Sequence, residues 1–472
     1  MKLNTLQLVL GIIFAIILSG IGWKINQSSD ERQDKLEDNL LIERLIELRR
    51  VYPSLNKKEF LTLAANRLSI PKKRLNNLIK TIDKDDEDDF HLAMKYYLND
   101  DFEKALPIFD NLSFSSQSIE KQALSLSFLG DIQFYGYHSH DPKTLNLYLR
   151  AYEKFEKIEL KSFSVVQSEA YNNYRIGALA KLLGDNKTAK KHYEKAISQY
   201  SQLVKEDDIV INFLGPVYND LYILGKKIPL GEPKIYYLDK ALEYKKEAFN
   251  KYPSSENLSL YLNSINAKGN YYLLNDNLDL ADVEYNLGLQ LIKNNIKEKL
   301  TPQFKLIKAK LLSQLSESYI TRYKGGKNNN EENLLKKAED YLTQAESLVS
   351  KLELQNPSDK LTKSIIYYDK GSLYQALGKY ELSLNNYQTC LDIREDIING
   401  NANIDFHAQY AHVLFEIAKL YSENSEIKDC SEAEFYAEKA KNLYLKTSNA
   451  DSSDKNWFKE IDNYIEKNCS KR

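Results

Sequence analysis

Small and aromatic residues recur together in this chain at helical spacings, and no other feature of the sequence constrains its fold as strongly. In the clearest copy the residues are Gly371, Tyr374, Gly378, Ser383, Tyr387 and Cys390. Residues three or four apart share one face of a helix, and Gly378 stands where a helix would end in a left-handed cap. The pattern predicts two antiparallel helices that approach closely at their small residues, with aromatic rings filling the space beside them.

The same order of residue types recurs at three other places. The further copies are Ala93, Tyr96, Phe102, Ala105, Phe109 and Leu112; Gly177, Ala180, Gly184, Ala189, Tyr193 and Ala196; and Gly269, Tyr272, Ala281, Tyr285 and Gly288. Weaker copies retain part of the second helix: Thr144, Tyr148 and Ala151; Ala241, Ala248 and Pro253; Ala338 and Ala345; Ala433 and Ala440. These stretches resemble the tetratricopeptide repeat (TPR). The resemblance implies an all-α fold, an α-α superhelix of about eight helical hairpins.

Composition agrees with a helical repeat and gives no sign of a nucleic-acid partner. The chain has 472 residues, more than one compact core usually holds. It has 17 Gly and 10 Pro, and a net charge of -2, which leaves no basic footprint for nucleic acid. The three cysteines, Cys390, Cys430 and Cys469, are expected to be small buried residues rather than a disulfide framework or a metal site. The cysteines do not decide whether the chain works in an oxidising or a reducing compartment.

The N-terminus carries an uncharged apolar run at residues 6–23. At about 1.5 Å per residue it would span roughly 27 Å, close to the roughly 30 Å hydrocarbon core of a bilayer. We predict a single transmembrane anchor here, with a cleaved signal peptide and a buried helix as the alternatives. Positive groups on the two sides are nearly balanced, so the side of the membrane that carries the repeats is undecided.

The chain divides into five predicted segments. These are 1–29, a transmembrane anchor or signal segment; 30–82, a small helical segment; 83–89, an acidic linker; 90–448, the repeat array; and 449–472, a C-terminal capping helix. Asn56 with Glu59 predicts a capping box that opens a helix at Lys57. The last segment is amphipathic, as the end of a solenoid requires.

Residues 51–82 allow a second interpretation, a helix-turn-helix that reads DNA. Its second helix carries Lys72, Lys73, Arg74 and Lys80. The alternative function is then a membrane-linked regulator, with this segment on nucleic acid and the array as a sensor. The near-neutral charge of the chain favours a simpler role, in which these helices pack on the first repeat.

Motifs for catalysis are weak. His138 and His140 form the nearest approach to a metal cluster, but zinc sites need three or four placed ligands. The Lys324 to Lys327 turn is too short for a phosphate-binding loop. We therefore expect no enzyme activity, no cofactor and no metal, while an enzyme that uses the His138 loop would bind a metal.

The resemblance to TPR proteins implies that the first helices of the hairpins line a groove for extended peptides or partner helices. The groove candidates are Asn263, Asn266 and Asn270; Tyr368, Ser372 and Gln375; and Tyr171 and Tyr174. Asn266 and Asn270 lie four apart, so both amides could clamp the backbone of a partner. The set lacks the Lys and Arg residues of the family's carboxylate clamp, which disfavours an acidic C-terminal tail. The predicted function is a membrane-tethered, non-catalytic scaffold for a protein or peptide partner, of undetermined oligomeric state.

Overall fold

The chain is helical throughout its described part. The computed structural model describes residues 27–469, with short gaps at 54, 81–87, 206–209, 298, 327–330, 355, 400–403, 424–425 and 448–451. These residues form twenty α-helices and no strand. The all-α prediction is confirmed.

Three helices precede the repeats: α1 (Gln27–Val51), α2 (Lys57–Leu68) and α3 (Lys72–Lys80). The predicted capping box is present, because Asn56 Oδ1 accepts from the Glu59 amide at 3.1 Å and Glu59 Oε2 accepts from the Asn56 amide at 3.3 Å. The apolar side chains of all three helices join one core with the first hairpins. This segment therefore packs on the end of the array, as the simpler interpretation predicts.

Eight helix pairs follow along the chain. They are α4 (Asp89–Leu98) and α5 (Phe102–Ser115); α6 (Ile119–Asp131) and α7 (Pro142–Phe155); α8 (Phe163–Leu182) and α9 (Asn186–Leu203); α10 (Ile211–Leu224) and α11 (Lys234–Lys251); α12 (Ser255–Leu274) and α13 (Leu278–Asn295); α14 (Pro302–Lys324) and α15 (Glu331–Val349); α16 (Pro357–Ala376) and α17 (Tyr380–Asn399); and α18 (Ile404–Glu423) and α19 (Cys430–Thr447). A π-helical turn, Ile132–Gly136, extends α6. The last helix is α20 (Ser452–Cys469).

The first helices of the pairs begin at side chains that cap them. In six of the eight pairs the N-cap side chain accepts a hydrogen bond from a backbone N–H of the first turn. These caps are Asp88, Ser118, Ser162, Ser254, Thr301 and Asn356. Such a bond satisfies one of the amide groups that a helix start leaves unpaired. Residues 83–87 of the predicted acidic linker lie outside the described part, and Asp88 is the cap that opens α4.

The predicted contact between small and aromatic residues is confirmed. In three pairs a glycine of the first helix lies against the ring of a tyrosine sixteen residues later, namely Gly177 with Tyr193, Gly269 with Tyr285, and Gly371 with Tyr387. A methyl group added to Gly371 would lie 2.6 Å from the Tyr387 ring, closer than packed carbon atoms approach. In the first pair Ala93 and Phe109 stand sixteen apart in the same places, and both are buried.

The turns within the pairs also follow the prediction. Gly378 has a φ of 71° and Gly184 a φ of 85°, in the left-handed region that glycine adopts without steric cost. In the first and fifth pairs Asp100 and Asp276 take this conformation, with φ values of 60° and 58°. These four hairpins therefore share one turn conformation, formed by glycine in two of them and by aspartate in the other two.

The chain separates into two compact units, Met1–Phe213 and Leu214–Arg472. In the second unit α20 packs against α18 and α19 through Ile461, Tyr464 and Ile465, consistent with the predicted capping helix. No helix in the described ranges is long and apolar enough to cross a membrane. The predicted anchor at residues 6–23 lies outside those ranges.

The prediction that the cysteines form no disulfide is wrong. Cys430, at the start of α19, is bonded to Cys469, at the end of α20. Thirty-nine residues separate them in sequence, so only the return of α20 along the last pair brings them together. Cys390 is free and buried, as predicted.

Candidate protein-interaction face

The first helices of the last pairs carry a row of polar side chains in the second unit. Helix α14 packs directly against both α12 and α16. Helix α18 is joined to α16 by a hydrogen bond of 3.0 Å between Tyr368 Oη and His412 Nε2. We call the polar side chains of these four helices the polar face. Its members used below are Asn266 and Asn270; Gln314 and Glu317; Tyr368, Asp369, Ser372 and Gln375; and His412.

The three asparagine candidates on α12 have different surroundings. Asn263 is exposed, Asn266 is 4% exposed and Asn270 is half-buried. Asn270 Oδ1 accepts a hydrogen bond of 2.7 Å from Tyr285 Oη, which also lies 3.4 Å from Gln314 Oε1. The Asn266 Oδ1 atom is buried and accepts no hydrogen bond from the described residues. Buried amide oxygens nearly always have a partner, so Asn266 is an unsatisfied acceptor one turn from Asn270.

The three candidates on α16 lie side by side, each half-buried and each held by a neighbouring helix. Tyr368 bonds to His412, as described above. Ser372 Oγ accepts from Lys324 Nζ at 3.0 Å, and Gln375 Oε1 accepts from Tyr387 Oη at 3.3 Å. Tyr387 is the same ring that covers Gly371. The repeat tyrosines therefore carry out two tasks, since the ring packs the hairpin and the hydroxyl orients an amide of the polar face.

The polar face also contains a buried carboxyl group on α16. Asp369 is 3% exposed, and Ser313 Oγ donates to its Oδ2. Burial, and next the Glu317 carboxylate, raise the pKa of Asp369 well above its ordinary value. Burial likewise raises the pKa of Glu317. Burial therefore disfavours the charged form of both carboxyl groups, and the nearby Lys324 and Arg394 offset this only in part.

The two candidates in the first unit have a different setting. Tyr171 is 2% exposed, and its Oη donates to Asp131 Oδ1 at 3.0 Å. The same carboxylate pairs with Arg50 Nε at 3.1 Å, and the Arg50 guanidinium lies 4.6 Å from the Tyr171 ring centre. The expectation that Tyr171 is open to a partner is therefore not met, because Arg50 from α1 covers it. Tyr174 is half-buried, with its ring centre 6.2 Å from that of Tyr193.

The other sequence candidates are engaged within the chain. Lys72 Nζ donates to the backbone oxygen of Lys58 at 3.0 Å, and Arg74 lies 3.8 Å from Asp38. The His140 ring packs edge-on against Phe134, and burial lowers the pKa of His140. In the part of the chain that the structure covers, no three His, Cys, Asp or Glu residues group as metal ligands would.

Sequence reasoning missed two features of the first unit. One is the buried Arg50–Asp131 ion pair, whose members are 81 residues apart and carry no local signal. The other is a fourth glycine–tyrosine contact, since a methyl group on Gly130 would lie 2.7 Å from the Tyr148 ring. This pair is eighteen residues apart rather than sixteen, and a search at the common spacing passes over it.

Comparison with known proteins gives structural likeness without sequence support. No family model matches the sequence, and no curated protein is similar enough to count as a match. Among solved structures, aspartyl phosphate phosphatase F from Bacillus subtilis aligns with a TM-score of 0.47 and 12% identity, over 90% of this chain and 96% of that one. A Rap protein complexed with competence and sporulation factor gives 0.44 and 12%, over 87% and 98%. The human IFIT1 dimer with PPP-AAAA gives 0.40 and 12%, over 91% and 86%.

The chain is an all-α helical repeat protein. Its own successive helix pairs and the glycine–tyrosine contacts within them define this class.

Proposed function

We propose that this chain is a membrane-tethered, non-catalytic repeat scaffold that binds an extended protein or peptide segment on the polar face. The observation that carries the proposal is Asn270 on α12, which is half-buried and uses only its Oδ1 within the described chain. Its amide hydrogens can donate to a carbonyl group of an extended backbone. Asn266, one helical turn away, is 4% exposed, so its unsatisfied Oδ1 does not face solvent.

The first unit supports this placement by contrast. There Arg50 of α1 already occupies the space in front of Tyr171 and satisfies Asp131. In the second unit Asn270 is half-buried and uses only its Oδ1 within the described chain. The proposal therefore assigns partner binding to the second unit.

The chemistry of the polar face favours a segment that donates hydrogen bonds. Asp369 and Glu317 have raised pKa values because burial disfavours their charged forms. A backbone N–H or a basic side chain delivered by a partner would stabilise those carboxylates. The proposed partner is thus an extended segment with basic residues, rather than an acidic tail.

The membrane tether belongs to the same proposal. Residues 6–23 are apolar and long enough to approach the thickness of a bilayer core. An integral anchor resists extraction with alkaline carbonate, whereas a peripheral protein is released. We expect the full chain to stay with the membrane fraction, and its release would contradict the tether without bearing on the polar face.

Photocrosslinking in cells tests the binding site. A photoreactive amino acid is placed at position 270 on α12, and at position 286 as the matched control. Asn286 is also an asparagine, but it is exposed on α13, the second helix of the same pair. We expect a distinct protein to be trapped from position 270 alone. The same adducts from both positions, or none from position 270, would contradict the proposal.

A further inference from the structure

The disulfide between Cys430 and Cys469 joins α20 to the last pair, where few of the described side chains of α20 are buried. Among the described side chains of α20, only Ile461 is buried, while Tyr464 and Ile465 are partly buried. The described polar contacts of α20 lie near the surface and add little: Lys441 Nζ pairs with Asp462 at 2.6 Å, and Lys428 Nζ donates to the Asn468 backbone oxygen at 3.0 Å. The covalent bond is therefore the strongest link between α20 and the last repeat.

The geometry of the backbone suits a permanent bond. The two Cα atoms are 5.6 Å apart, within the range that native disulfides span without backbone movement. Cys430 is the first residue of α19 and Cys469 the last of α20, so the bond closes the whole α19–α20 segment into one loop. A cross-link over such a loop constrains the unfolded chain and stabilises the fold.

The third cysteine does not compete for this pairing. Cys390 is fully buried in α17, and burial raises the pKa of its thiol to about 11. Thiol–disulfide exchange requires an accessible thiolate. Cys390 is neither accessible nor ionised near neutral pH, so the chain has one possible disulfide and one inert thiol.

We propose that the second unit folds and works in an oxidising compartment outside the cytosol, with Cys430–Cys469 as a permanent lock on α20. Structural disulfides form and persist in such compartments and are rare where thiols are kept reduced. Residues 6–23 would then act as the export signal or anchor, with the repeats on the extracytoplasmic side. The presence of a partner on that side rests on the proposed function. The assignment of the compartment does not.

Formation of the lock needs an oxidant, which the proposal names as a protein disulfide of the same compartment. One cysteine thiolate attacks that disulfide, forms a mixed disulfide and releases one oxidant thiolate. The second cysteine thiolate then displaces the other oxidant sulfur. The two cysteines lose two protons and two electrons, and the oxidant leaves as a dithiol.

Counting thiols in intact cells tests the proposal. Cells that naturally make the chain are quenched in acid, and the denatured full-length protein is labelled with a maleimide that adds mass per thiol. We expect one label before reduction, on Cys390, and three after it. The Cys430→Ser variant, which leaves Cys469 unpaired, should take two labels without reduction. Three labels on the unreduced native chain would overturn the proposal.

Thermal unfolding supplies a second measurement. The Cys430→Ser/Cys469→Ser variant should melt about 5–10 °C lower than the oxidised chain, the shift expected for loss of one cross-link in a unit of this size. The Cys390→Ala variant keeps the lock, so reductant should lower its melting temperature as it lowers that of the native chain. A melting temperature that does not respond to reductant would contradict the role of the lock. Either failure would leave crosslinking from position 270 unaffected, so the two proposals can fail separately.

Discussion

At the scale of single residues, the contact between a glycine and a tyrosine sixteen positions later organises the hairpins. The sequence predicted it at Gly269 and Gly371 because small and aromatic residues recur in register. It was missed at Gly130, where the π-helical turn Ile132–Gly136 lies between the glycine and Tyr148. A pattern of fixed spacing identifies regular copies and overlooks those in which the first helix ends differently.

Replacing Gly269 with leucine should destabilise the second unit. A side chain at this position would meet the fully buried Tyr285 ring, which is already held by Asn270. Overpacking of this kind costs about 1–3 kcal/mol, measured as the change in the free energy of unfolding by denaturant. Gly231→Leu is the matched control, because nothing lies within 4 Å of a Cβ built there. Equal stability of the two variants would contradict the proposed packing.

Replacing Gly378 with alanine tests the turn rather than the packing. Its φ of 71° is unfavourable for an L residue, while nothing lies within 4 Å of an added Cβ. The left-handed conformation should therefore cost about 1–2 kcal/mol of unfolding free energy. Gly325→Ala, at a φ of -75°, should change the stability little. A neutral Gly378→Ala variant would show that the turn adopts another conformation in solution.

His192 should make the stability of the first unit depend on pH. It is 4% exposed, its Nδ1 lies 2.7 Å from Asn173 Oδ1, and burial lowers its pKa to about 4. The unfolded chain, with a pKa near 6.5, binds the proton first as the pH falls. The neutral imidazole therefore contributes roughly 2–3 kcal/mol that is complete above about pH 6.5 and lost as the pH falls towards 4.

The comparison for His192 is the His192→Gln variant. The difference in unfolding free energy between the native chain and this variant should shrink between pH 7 and pH 4, while titrating carboxyl groups affect both chains alike. A difference that stays constant over this range would contradict the assigned shift.

At the scale of helices, local sequence signals predict where a helix starts. The capping box at Asn56 predicted the start of α2 at Lys57, and the structure begins the helix there. Asn56→Ala should cost about 1 kcal/mol of unfolding free energy. Asn66→Ala, exposed within the same helix, should be neutral or slightly stabilising because alanine favours helix. If both substitutions had the same effect, the cap would not contribute to stability.

Contacts between helices that are distant in sequence could not be predicted from the sequence, for a physical reason. Caps and glycine turns act over three or four residues, so their chemistry is visible in a short window. The Arg50–Asp131 ion pair and the Cys430–Cys469 bond depend on how helices stack, and residue types alone do not specify that. The same limit explains Tyr171, whose groove position was inferred from the repeat although its exposure depends on α1.

At the scale of the whole molecule, corresponding helix surfaces of the two units have different surroundings. In the first unit the face of α8 at Tyr171 is covered by Arg50, a residue of the same chain. In the second unit Asn270, Ser372 and Gln375 on the corresponding helices are half-buried, and Asn270 uses only its Oδ1 within the described chain. This contrast is the central reason for assigning partner binding to the polar face.

The affinity of the segment trapped at position 270 tests this claim most directly. Asn270→Ala removes the amide hydrogens without adding a charge, so it should weaken binding at least about tenfold, or about 1.4 kcal/mol. Asn286→Ala removes the same amide from the exposed side of α13 and should leave the dissociation constant unchanged. Equal affinities for the two variants would contradict the polar face as the binding site.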